Sequence, residues 1–470
     1  MLLRRLYHDR LAQAGYLLAC QASGQALVVD PLRDPSRYLA AARQEGVTIT
    51  AVAETHIHAD FLSGAAALAE AADARLLLSG EGDGSAGYVR SAFPDAEWLR
   101  DGDQLRIGTV VLEVMYVPGH TPEHVAFLVT DTAMDRAPMG MLSGDFLFVG
   151  DVGRPDLLER AAGVQGTMAS SARQLHASLR RLERLPDYLQ IWPGHGAGSA
   201  CGKSLGAVPQ STLGYERRTN WALAFASEEE FVSRVLAGQP EPPVYFARMK
   251  RLNASGVPPM RAWTEQVPEQ RLRDALVSGA LELDVRPIPE FAAGHRRGAL
   301  SLPLGNSFLG WAGSVVPTDR DVVIASSTAQ REDAEHAARD LRLIGIDRVL
   351  GVLASDRPVA VPDALATLSS VPASVLGPAA PRGVTVLDVR NRSEWEEGHL
   401  PGARLMPLAE LTGRLDELRG LGPIVVHCQG GSRSAVAASV LRAAGFSDVT
   451  NVDGGFAAWL SAGNTPVTGA

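Results

Sequence analysis

The second half of the chain contains an internal repeat, and this repeat constrains the fold more than any other feature. Residues 283–304 read LDVRPIPEFAAGHRRGALSLPL, and residues 387–408 read LDVRNRSEWEEGHLPGARLMPL. The two segments align without a gap at an offset of 104 residues. Such self-similarity indicates two copies of one structural unit.

Each copy continues with a polar helix, a second apolar strand and another helix. The second strands are VVIA at 322–325 and IVVH at 424–427. Strands that alternate with helices predict a parallel sheet in an α/β unit. We therefore expect two small related α/β domains, over residues 268–355 and 380–470, joined by a linker rich in Pro, Ala and Ser.

The first half of the chain is organised differently and forms a third predicted domain, over residues 1–255. Short β-like runs such as ALVVD, ITAVAET and VVLEVMYV alternate there with helical stretches. At 470 residues the chain is too long for a single hydrophobic core, in agreement with several domains. We place the end of this domain near the sequence GVPP at 256–259.

Charge and composition exclude several classes of partner. The net charge of −9 argues against a nucleic acid or an anionic membrane as partner. No apolar run is long enough to span a membrane, and the first residues lack the apolar core of a signal peptide. Three cysteines are too few for a disulfide framework. We expect a cytoplasmic protein with free thiols at Cys20, Cys201 and Cys428.

Three loops of the first half carry five of the eleven histidines. They are His56 and His58 in THIHAD, His120 and His124 in VPGHTPEH, and His195 in WPGHG. Each loop follows an apolar, strand-like run, and so does Asp145 in MLSGDFLFVGD. Imidazole and carboxylate ligands together suit Zn or Fe, so the pattern predicts a metal site at these strand ends.

The motifs THIHAD, PGHTPEH, SGD and PGHG, in this order, resemble the metallo-β-lactamase fold family over about residues 1–250. The resemblance implies an αββα sandwich. Most members of the family hold two metals, and the second metal would need Asp60, the residue at position 61, His195 and a bridging Asp145. Phe61 stands where the family usually has a histidine, and a phenyl ring cannot coordinate a metal. This disfavours a dinuclear hydrolase.

One branch of this fold, the persulfide dioxygenases, binds a single iron. The resemblance to that branch implies His56, His120 and Asp145 as ligands of one Fe(II), with positions left open for O₂ and a substrate sulfur. Phe61 would then give the substrate side an apolar wall. Four further polar residues would orient the ligands: His58, Asp60, His124 and His195. The alternative is a zinc site in which His58 or His195 is itself a ligand.

Cys201 follows His195 by six residues in the Gly-rich segment PGHGAGSACGKSLG. A thiol at this place is a candidate catalytic residue that takes up sulfane sulfur, or else a small buried residue of the loop. Segments downstream, GYERRTNWAL and PEPPVYFARMKRLN, also resemble persulfide dioxygenases. Arg154, and Arg217 or Arg218, are candidates for binding a substrate carboxylate.

Residues 424–434, IVVHCQGGSRS, place a cysteine directly after a strand and before a helix. Glycines let backbone N–H groups turn inward as an anion cradle, and the helix N-terminus adds positive potential. Arg433 adds a full positive charge. These features favour a thiolate and a persulfide anion at Cys428. The predicted cradle consists of Gln429, Gly430, Gly431, Ser432 and Ser434.

This loop, with LDVRNRSEWEEGHLPGA upstream, resembles the rhodanese family of sulfurtransferases. In that family the loop cysteine carries the sulfane sulfur, which implies Cys428 and Arg433 as catalytic residues. Four residues separate them, whereas cysteine-based phosphatases of similar shape have five. The middle copy reads IASSTAQREDA at 324–334 and has no cysteine there, so we expect it to be catalytically silent.

Together the resemblances imply a persulfide dioxygenase–sulfurtransferase that acts in sulfide detoxification. A persulfide of glutathione, CoA or a similar thiol would be oxidised by O₂ to sulfite. Cys428 would transfer a second sulfane sulfur to sulfite and form thiosulfate, or would run this step in reverse. The alternatives are a glyoxalase II-like thioester hydrolase with an accessory sulfurtransferase domain, and a non-catalytic sulfur-carrier scaffold. We expect a homodimer or tetramer.

Overall fold

A computed structural model of the chain describes residues 1–82, 87–160, 163, 165–225, 227–261, 267–354 and 365–469. The chain forms two compact units, Met1–Met260 and Arg261–Ala470. Residues 355–364, which belong to the predicted linker, lie outside the described residues. Within the described ranges, no helix has both the length and the apolar character needed to cross a bilayer.

The first unit contains two six-stranded sheets. The strands of the first sheet, in spatial order, are β1 (Leu2–His8), β2 (Gln13–Cys20), β3 (Gln25–Val29), β4 (Thr48–Ala53), β5 (Arg75–Ser79) and β6 (Glu97–Leu99). The strands of the second sheet, again as neighbours, are β7 (Gln104–Ile107), β8 (Val110–Tyr116), β9 (Val125–Asp131), β10 (Gly140–Gly144), β11 (Gln190–Pro193) and β12 (Ser211–Thr212).

The helices of this unit come between and after the strands. They are α1 (Ser36–Glu45), α2 (Ala65–Ala72), α3 (Leu157–Arg160), α4 (Met168–Arg180), α5 (Leu213–Thr219), α6 (Glu228–Leu236) and α7 (Phe246–Ser255).

Strand β9 shows why the two sheets form a layered sandwich. Its side chains alternate between two cores, as the period of a strand requires. Val125 and Phe127 pack between the two sheets, whereas Ala126 and Leu128 pack in a second cluster with Leu175 of α4. Burying a side chain as large as that of Phe127 contributes about 2 to 3 kcal/mol. The predicted αββα sandwich is confirmed.

The candidate site residues lie where strands of both sheets end. THIHAD follows β4, the two histidines of VPGHTPEH lie between β8 and β9, Asp145 follows β10 and His195 follows β11. Strands β10 and β11 are parallel neighbours, so their carboxyl ends meet at one edge. The alternation of buried strands with polar loops thereby gathers distant histidines in one place.

The second unit contains the two copies of the repeat. The middle copy holds β13 (Leu281–Asp284), β14 (His295–Arg296), β15 (Leu300–Ser301), β16 (Val322–Ser326) and β17 (Val349–Ala354). The strands that follow are β18 (Leu365–Ala366), β19 (Ser369–Pro372), β20 (Thr385–Asp388), β21 (Arg404–Leu405), β22 (Ile424–His427) and β23 (Val449–Asp453).

Each copy forms its own parallel sheet, and the two sheets have equivalent strand orders. The strand order is β15-β13-β16-β17 in the middle copy and β21-β20-β22-β23 in the last copy, which adds β19 beside β23. Strand β19 lies upstream of residue 380, where the sequence placed the start of this domain. The helices are α8 (Glu269–Val277), α9 (Ile288–Ala293), α10 (Phe308–Val315), α11 (Arg331–Leu343), α12 (Arg392–Glu397), α13 (Leu408–Leu411), α14 (Ser432–Ala443) and α15 (Gly455–Ser461).

Candidate metal centre and reactive cysteine loop

Three predicted ligands of the first unit come together as a group of metal-binding atoms. His56, His120 and Asp145 are each buried, and one ligand atom of each lies within 4.8 Å of the others. Asp145 Oδ2 is 3.5 Å from His120 Nε2 and 3.8 Å from His56 Nε2. Ligands held about 2 Å from one ion lie about 3 to 4 Å apart, so these three atoms fit a shared metal.

The orientation of His56 is set by a hydrogen-bond chain from the first sheet. The Thr55 hydroxyl donates to Asp30 Oδ2, and the Thr55 N–H donates to Asp30 Oδ1. Because its proton is used on Asp30, the Thr55 oxygen accepts from His56 Nδ1 at 2.9 Å. The lone pair of His56 is therefore on Nε2, the atom that faces Asp145.

His120 is fixed in the same tautomer by a backbone carbonyl. Its Nδ1 lies 3.0 Å from the carbonyl oxygen of Arg154, which only accepts, so Nε2 keeps the lone pair. The Arg154 side chain is fully buried and paired with Asp156 and with backbone carbonyls. Arg217 likewise binds Asp187 and two carbonyls. Neither arginine keeps the free guanidinium that the expected contact with a substrate carboxylate requires.

The two carboxylate oxygens of Asp145 have different environments. Oδ1 accepts a hydrogen bond from His195 Nδ1 at 2.8 Å. Oδ2 is buried and has no hydrogen-bond partner among the described residues. The Asp145 N–H donates to His124 Nε2, which uses the lone pair of that imidazole. One oxygen of Asp145 is thus held in place while the other remains available to a cation, as in a metal site with supporting partners.

The protonation of these groups suits metal binding. Burial lowers the pKa of His120 to about 4 and that of His124 to about 3, and it holds the pKa of His56 well below its usual range. Burial alone would raise the pKa of Asp145, but His195 outweighs it and keeps this pKa low. Neutral imidazoles and an ionised carboxylate are the forms that bind a metal.

His58 and Phe61 lie beside this group. The His58 ring is 4.2 Å from the ring of His56 and 4.4 Å from that of Phe61. Burial would lower the pKa of His58, but nearby carboxylates, Asp30 first, raise it to about 9. A protonated imidazole is a poor ligand, and Phe61, which is fully buried, adds apolar surface at this place.

Asp60, His195 and Cys201 form a second group of ligand-type atoms. Both nitrogens of His195 are used, since Nε2 bonds Asp60 Oδ2 at 2.9 Å and Nδ1 bonds Asp145. These two carboxylates outweigh burial and raise the pKa of His195 well above its usual range. Burial and the same carboxylates raise the pKa of the Cys201 thiol. His195 therefore bridges two carboxylates as a cation, and Cys201 lies next to the centre.

Sequence reasoning missed the residues that hold the THIHAD segment. Asn253 of α7 donates through Nδ2 to the carbonyl oxygens of His58 and Phe61, both at 2.7 Å, and accepts from the Ser63 N–H. Glu54, whose pKa burial raises to about 6, binds Ser63 and the Tyr88 hydroxyl. Asp30, which binds Thr55, also belongs to this supporting group. A signal in the sequence could have found it, because Asp30 directly follows a buried strand, just as Asp145 does.

In the second unit, one backbone N–H of the cysteine loop donates to the thiol. Cys428 follows β22 and is buried. The Gly431 N–H donates to Cys428 Sγ at 3.1 Å, from a left-handed backbone (φ +101°) that favours glycine. Ser434 Oγ lies 3.5 Å from Sγ and 3.0 Å from the Gly431 carbonyl oxygen, and its single proton serves one of them at a time. Gln429, Gly430 and Ser432 complete this stretch of chain.

The start of α15 forms backbone hydrogen bonds to the cysteine loop. The Phe456 N–H donates to the Cys428 carbonyl oxygen at 2.7 Å, and the Ala457 N–H donates to that of Gln429 at 3.0 Å. Gly455 has φ +55°, and a Cβ there would lie 2.3 Å from the Cys428 carbonyl oxygen. Only glycine allows this close approach.

Arg433 pairs with a carboxylate that the sequence analysis did not predict. Its guanidinium makes two hydrogen bonds to Glu394, both of 2.7 Å. Burial opposes the charge, but Glu394 outweighs it and raises the pKa of Arg433. The positive charge near Cys428 is therefore shared with a carboxylate, a partner 39 residues away that local sequence patterns did not reveal.

Strand pairing identifies the counterpart of Cys428 in the middle copy. Asp284 pairs with Ala325, and Asp388 pairs with His427. Ser326 therefore occupies the position of Cys428. Its hydroxyl is buried and has no hydrogen-bond partner among the described residues. The first turn of α11 carries Glu332 and Asp333, whereas that of α14 carries no acidic residue.

Comparison with known proteins identifies two families in different parts of the chain. Residues 9–195 match the metallo-beta-lactamase superfamily, and residues 373–462 match the rhodanese-like domain. A crystal structure of a metallo-beta-lactamase from Staphylococcus aureus subsp. aureus COL is 38% identical, with a TM-score of 0.66, and covers 75% of this chain and 98% of that chain.

The curated relatives that match the first unit include a hydrolase and a dioxygenase. The hydroxyacylglutathione hydrolase of Polaromonas sp. (strain JS666) is 36% identical over 182 residues, which are 38% of this chain and 60% of the relative. The mitochondrial persulfide dioxygenase ETHE1 of Bos taurus is 28% identical over 231 residues, which are 49% of this chain and 78% of the relative. This chain spans only about three fifths of the hydrolases that it matches. The chain belongs to the metallo-β-lactamase superfamily and carries a rhodanese-like domain over residues 373–462.

Proposed function

We propose that this chain is a mononuclear iron persulfide dioxygenase joined to a rhodanese sulfurtransferase. One observation supports the first half most strongly: the donor group of His56, His120 and Asp145. Each of its three residues is held by a partner through its other polar side-chain atom and leaves one buried atom free for a single cation. Two histidines and one carboxylate are typical of non-haem Fe(II) oxygenases.

A bound ferrous ion would supply open coordination positions and the redox chemistry that brings O₂ to a sulfur atom. The residues of the chain fix the tautomers and the ionisation of the donor atoms. Thr55 and the Arg154 carbonyl keep both imidazoles in the tautomer that offers Nε2. His195 holds the second oxygen of Asp145 and keeps this carboxylate ionised. Phe61 contributes an apolar wall that excludes water.

The overall reaction balances without a further reductant. A persulfide, O₂ and water give the free thiol and sulfite; the S–S bond breaks, the outer sulfur is oxidised and O₂ is reduced. One water molecule is consumed as a reactant, but bulk water would hydrolyse or protonate reactive species. The reaction therefore requires a site from which bulk water is excluded, and the buried position of the donor group is in keeping with that requirement.

In the second unit, Cys428 transfers sulfane sulfur. Its thiolate attacks the outer sulfur of a persulfide, a new S–S bond forms, and the carrier leaves as a thiolate. Sulfite then attacks the outer sulfur on Cys428, so that thiosulfate leaves and the thiolate is restored. The Gly431 N–H and the Ser434 hydroxyl lie where they stabilise the negative sulfur.

A thioester hydrolase is the second candidate, and two observations favour it. Several relatives that match the first unit are named hydroxyacylglutathione hydrolases. The group of Asp60, His195 and Cys201 also offers ligand-type atoms for a second metal. Against it, both His195 nitrogens are already bound to carboxylates, and Phe61 supplies no ligand.

The two candidates are separated by one set of assays on the full chain. The protein is loaded with Fe(II) without O₂, its metal content is measured, and it is given either glutathione persulfide or a hydroxyacyl thioester of glutathione. We expect a single iron, O₂ consumption with the persulfide and no thioester hydrolysis. His120→Ala should lose the metal and O₂ uptake, whereas His336→Ala, which removes an exposed histidine, should lose neither. Two metals with thioester hydrolysis and no O₂ uptake would establish the hydrolase instead.

A further inference from the structure

Arg390 is a buried cation of the last copy with more contacts than its ion pair requires. It is only 2% exposed. Its Nε and Nη2 donate to the carboxylate of Asp388, and Nη2 also donates to the Gly398 carbonyl oxygen. Nη1 and the flat face of the guanidinium remain for other contacts.

These two remaining groups contact residues that adjoin or hold Cys428. Nη1 donates to Gln429 Oε1 at 3.4 Å, and Gln429 directly follows the cysteine. The guanidinium carbon lies 3.9 Å from the centroid of the Phe456 ring, a distance that suits a cation–π contact. Phe456 is the residue whose N–H donates to the Cys428 carbonyl oxygen. Arg390 therefore contacts both the cysteine loop and the helix residue that binds this loop.

The middle copy contains the same ion pair without these further contacts. Arg286 donates to Asp284 through Nε and Nη2, and Nη2 also donates to the Gly294 carbonyl oxygen. Within the described ranges, no hydrogen bond or cation–π contact joins Arg286 to the residues that follow β16. The ion pair thus belongs to the shared framework, whereas the connection to the loop occurs only in the copy that has a cysteine.

We propose that Arg390 is a positioning residue for sulfur transfer at Cys428. One rigid, planar guanidinium connects the framework carboxylate of Asp388 to Gln429 and to Phe456. It thereby holds the loop in the conformation in which a backbone N–H donates to the cysteine sulfur. This assignment rests on the proposed function and adds to it a residue outside the loop.

The contact also decides which end of the Gln429 amide is available to a substrate. Arginine only donates, so the amide atom that faces Arg390 is the oxygen. The Nε2 amino group of Gln429 then has no partner among the described residues, and it can donate to an oxygen of a small sulfur oxyanion such as thiosulfate. Arg390 should therefore influence the affinity for the oxyanion as well as the rate of transfer.

The test compares matched lysine substitutions of the two copies in the full chain, with sulfur transfer from thiosulfate to cyanide as the assay. Arg390→Lys and Arg286→Lys each keep a charge that can pair with the framework aspartate but lose the planar fork. Their effects on thermal unfolding should therefore be similar. We expect Arg390→Lys to lower kcat about tenfold and to raise KM for thiosulfate about threefold. Arg286→Lys should leave both constants unchanged. A merely structural role would lower the amount of active protein, and so kcat, without raising KM.

A double-mutant cycle tests whether Arg390 acts through Gln429. Gln429→Leu removes the amide from an exposed position while keeping a side chain of similar size. We expect this variant to lose transfer activity, and the combined Arg390→Lys/Gln429→Leu protein to lose less than the product of the two single losses. If Arg390→Lys does not fold, Gln429→Leu alone still tests the contact.

Four results would overturn the proposal: the parent's kcat and KM in Arg390→Lys, an equal loss in Arg286→Lys, a double variant that loses the full product, or the parent's constants in Gln429→Leu. Failure of the proposed function has a different signature, read from the rate at which iodoacetamide alkylates Cys428. In that case the parent transfers no sulfur, but the alkylation rate still changes in Arg390→Lys and not in Arg286→Lys.

Discussion

The two copies of the repeat share an α/β framework but differ in one loop, which follows β16 in the middle copy and β22 in the last copy. In both, an aspartate at the end of a strand binds an arginine two residues later: Asp284 with Arg286, and Asp388 with Arg390. In both, a histidine stacks on an aromatic ring four residues earlier, at 3.8 Å and 3.5 Å between ring centroids. These contacts maintain the α/β fold whether or not a cysteine is present.

The differences at the predicted cysteine site lie within a few residues of one strand end. Ser326 stands in place of Cys428, and no glycine precedes α11, whereas Gly430 and Gly431 precede α14. At the same offset as Ser326 and Cys428, Glu332 stands where the last copy has Ser434, so an acidic residue replaces a hydroxyl in the first turn of the helix. We therefore expect sulfur transfer to depend on the loop rather than on the α/β framework.

Replacing Cys428 should have the largest effect. Cys428→Ser leaves a hydroxyl that cannot hold a sulfane sulfur, so sulfur transfer from thiosulfate should fall to background. The measurement is a sulfurtransferase assay on the full chain, with persulfide detected by mass spectrometry of the intact protein. Cys20→Ser, in the core of the first unit, serves as the matched control and should retain full transfer. Transfer by the Cys428→Ser protein would refute the assignment.

Displacing the loop without touching the cysteine should have the next largest effect. Gly455→Ala places a methyl group 2.3 Å from the Cys428 carbonyl oxygen in a strained backbone, so the loop must shift. We expect transfer activity to fall about tenfold and stability to fall by about 1 to 3 kcal/mol. Gly413→Ala, whose added carbon meets only an ordinary contact, is the control. Equal activities in the two variants would show that α15 does not position the loop.

A buried carboxylate gives the middle copy a pH dependence that the last copy lacks. Burial, and then Asp284, raise the pKa of Glu282 to about 7, whereas the aligned residue of the last copy is Val386. A raised pKa favours the protonated form in the folded state, so Glu282 destabilises the fold progressively as pH rises from about 4.5 to about 7.

Glu282→Gln removes this penalty. At pH 8 the variant should be more stable than the parent by about 2 to 3 kcal/mol, and at pH 4 the two should be similar. Thermal unfolding followed at both pH values measures the difference. Asp319→Asn, which alters an exposed carboxylate, should leave the pH dependence as it is. If the parent and the Glu282→Gln protein show the same pH dependence, the buried carboxylate is not its cause.

The smallest effect is expected from restoring the cysteine alone. Ser326→Cys supplies the thiol in the middle copy but no glycine cradle, and Glu332 remains in the first turn of α11. In a Cys428→Ser background, this variant should show no sulfur transfer above background. Activity comparable to the parent would mean that the thiol by itself defines a working copy.

The sequence revealed elements that depend on local pattern or on repeated spacing. The αββα sandwich, the shared sheet of the two copies and the gathering of His56, His120 and Asp145 followed from apolar runs ending in polar loops, and from family motifs. The residues that the sequence missed act across the fold. Asp30 and Asn253 contact the THIHAD loop from another strand end and from a helix, so no periodicity marks them.

The sequence alone also did not show which residues of the two loops correspond to each other. The gapless alignment at an offset of 104 residues does not hold at the loop, where Ser326 and Cys428 differ by 102. Strand pairing, rather than residue counting, showed which serine replaces the cysteine. The shared charge of Arg433 has the same origin, because Glu394 lies on a helix that precedes the loop by many residues.

The decisive measurement quantifies sulfite and thiosulfate per O₂ consumed when the Fe(II)-loaded full chain oxidises glutathione persulfide. We expect thiosulfate as the main product of the parent protein. For Cys428→Ser we expect sulfite as the main product, at an unchanged rate of O₂ uptake. The absence of O₂ uptake would contradict the dioxygenase assignment, and identical products from both proteins would contradict the coupling to Cys428.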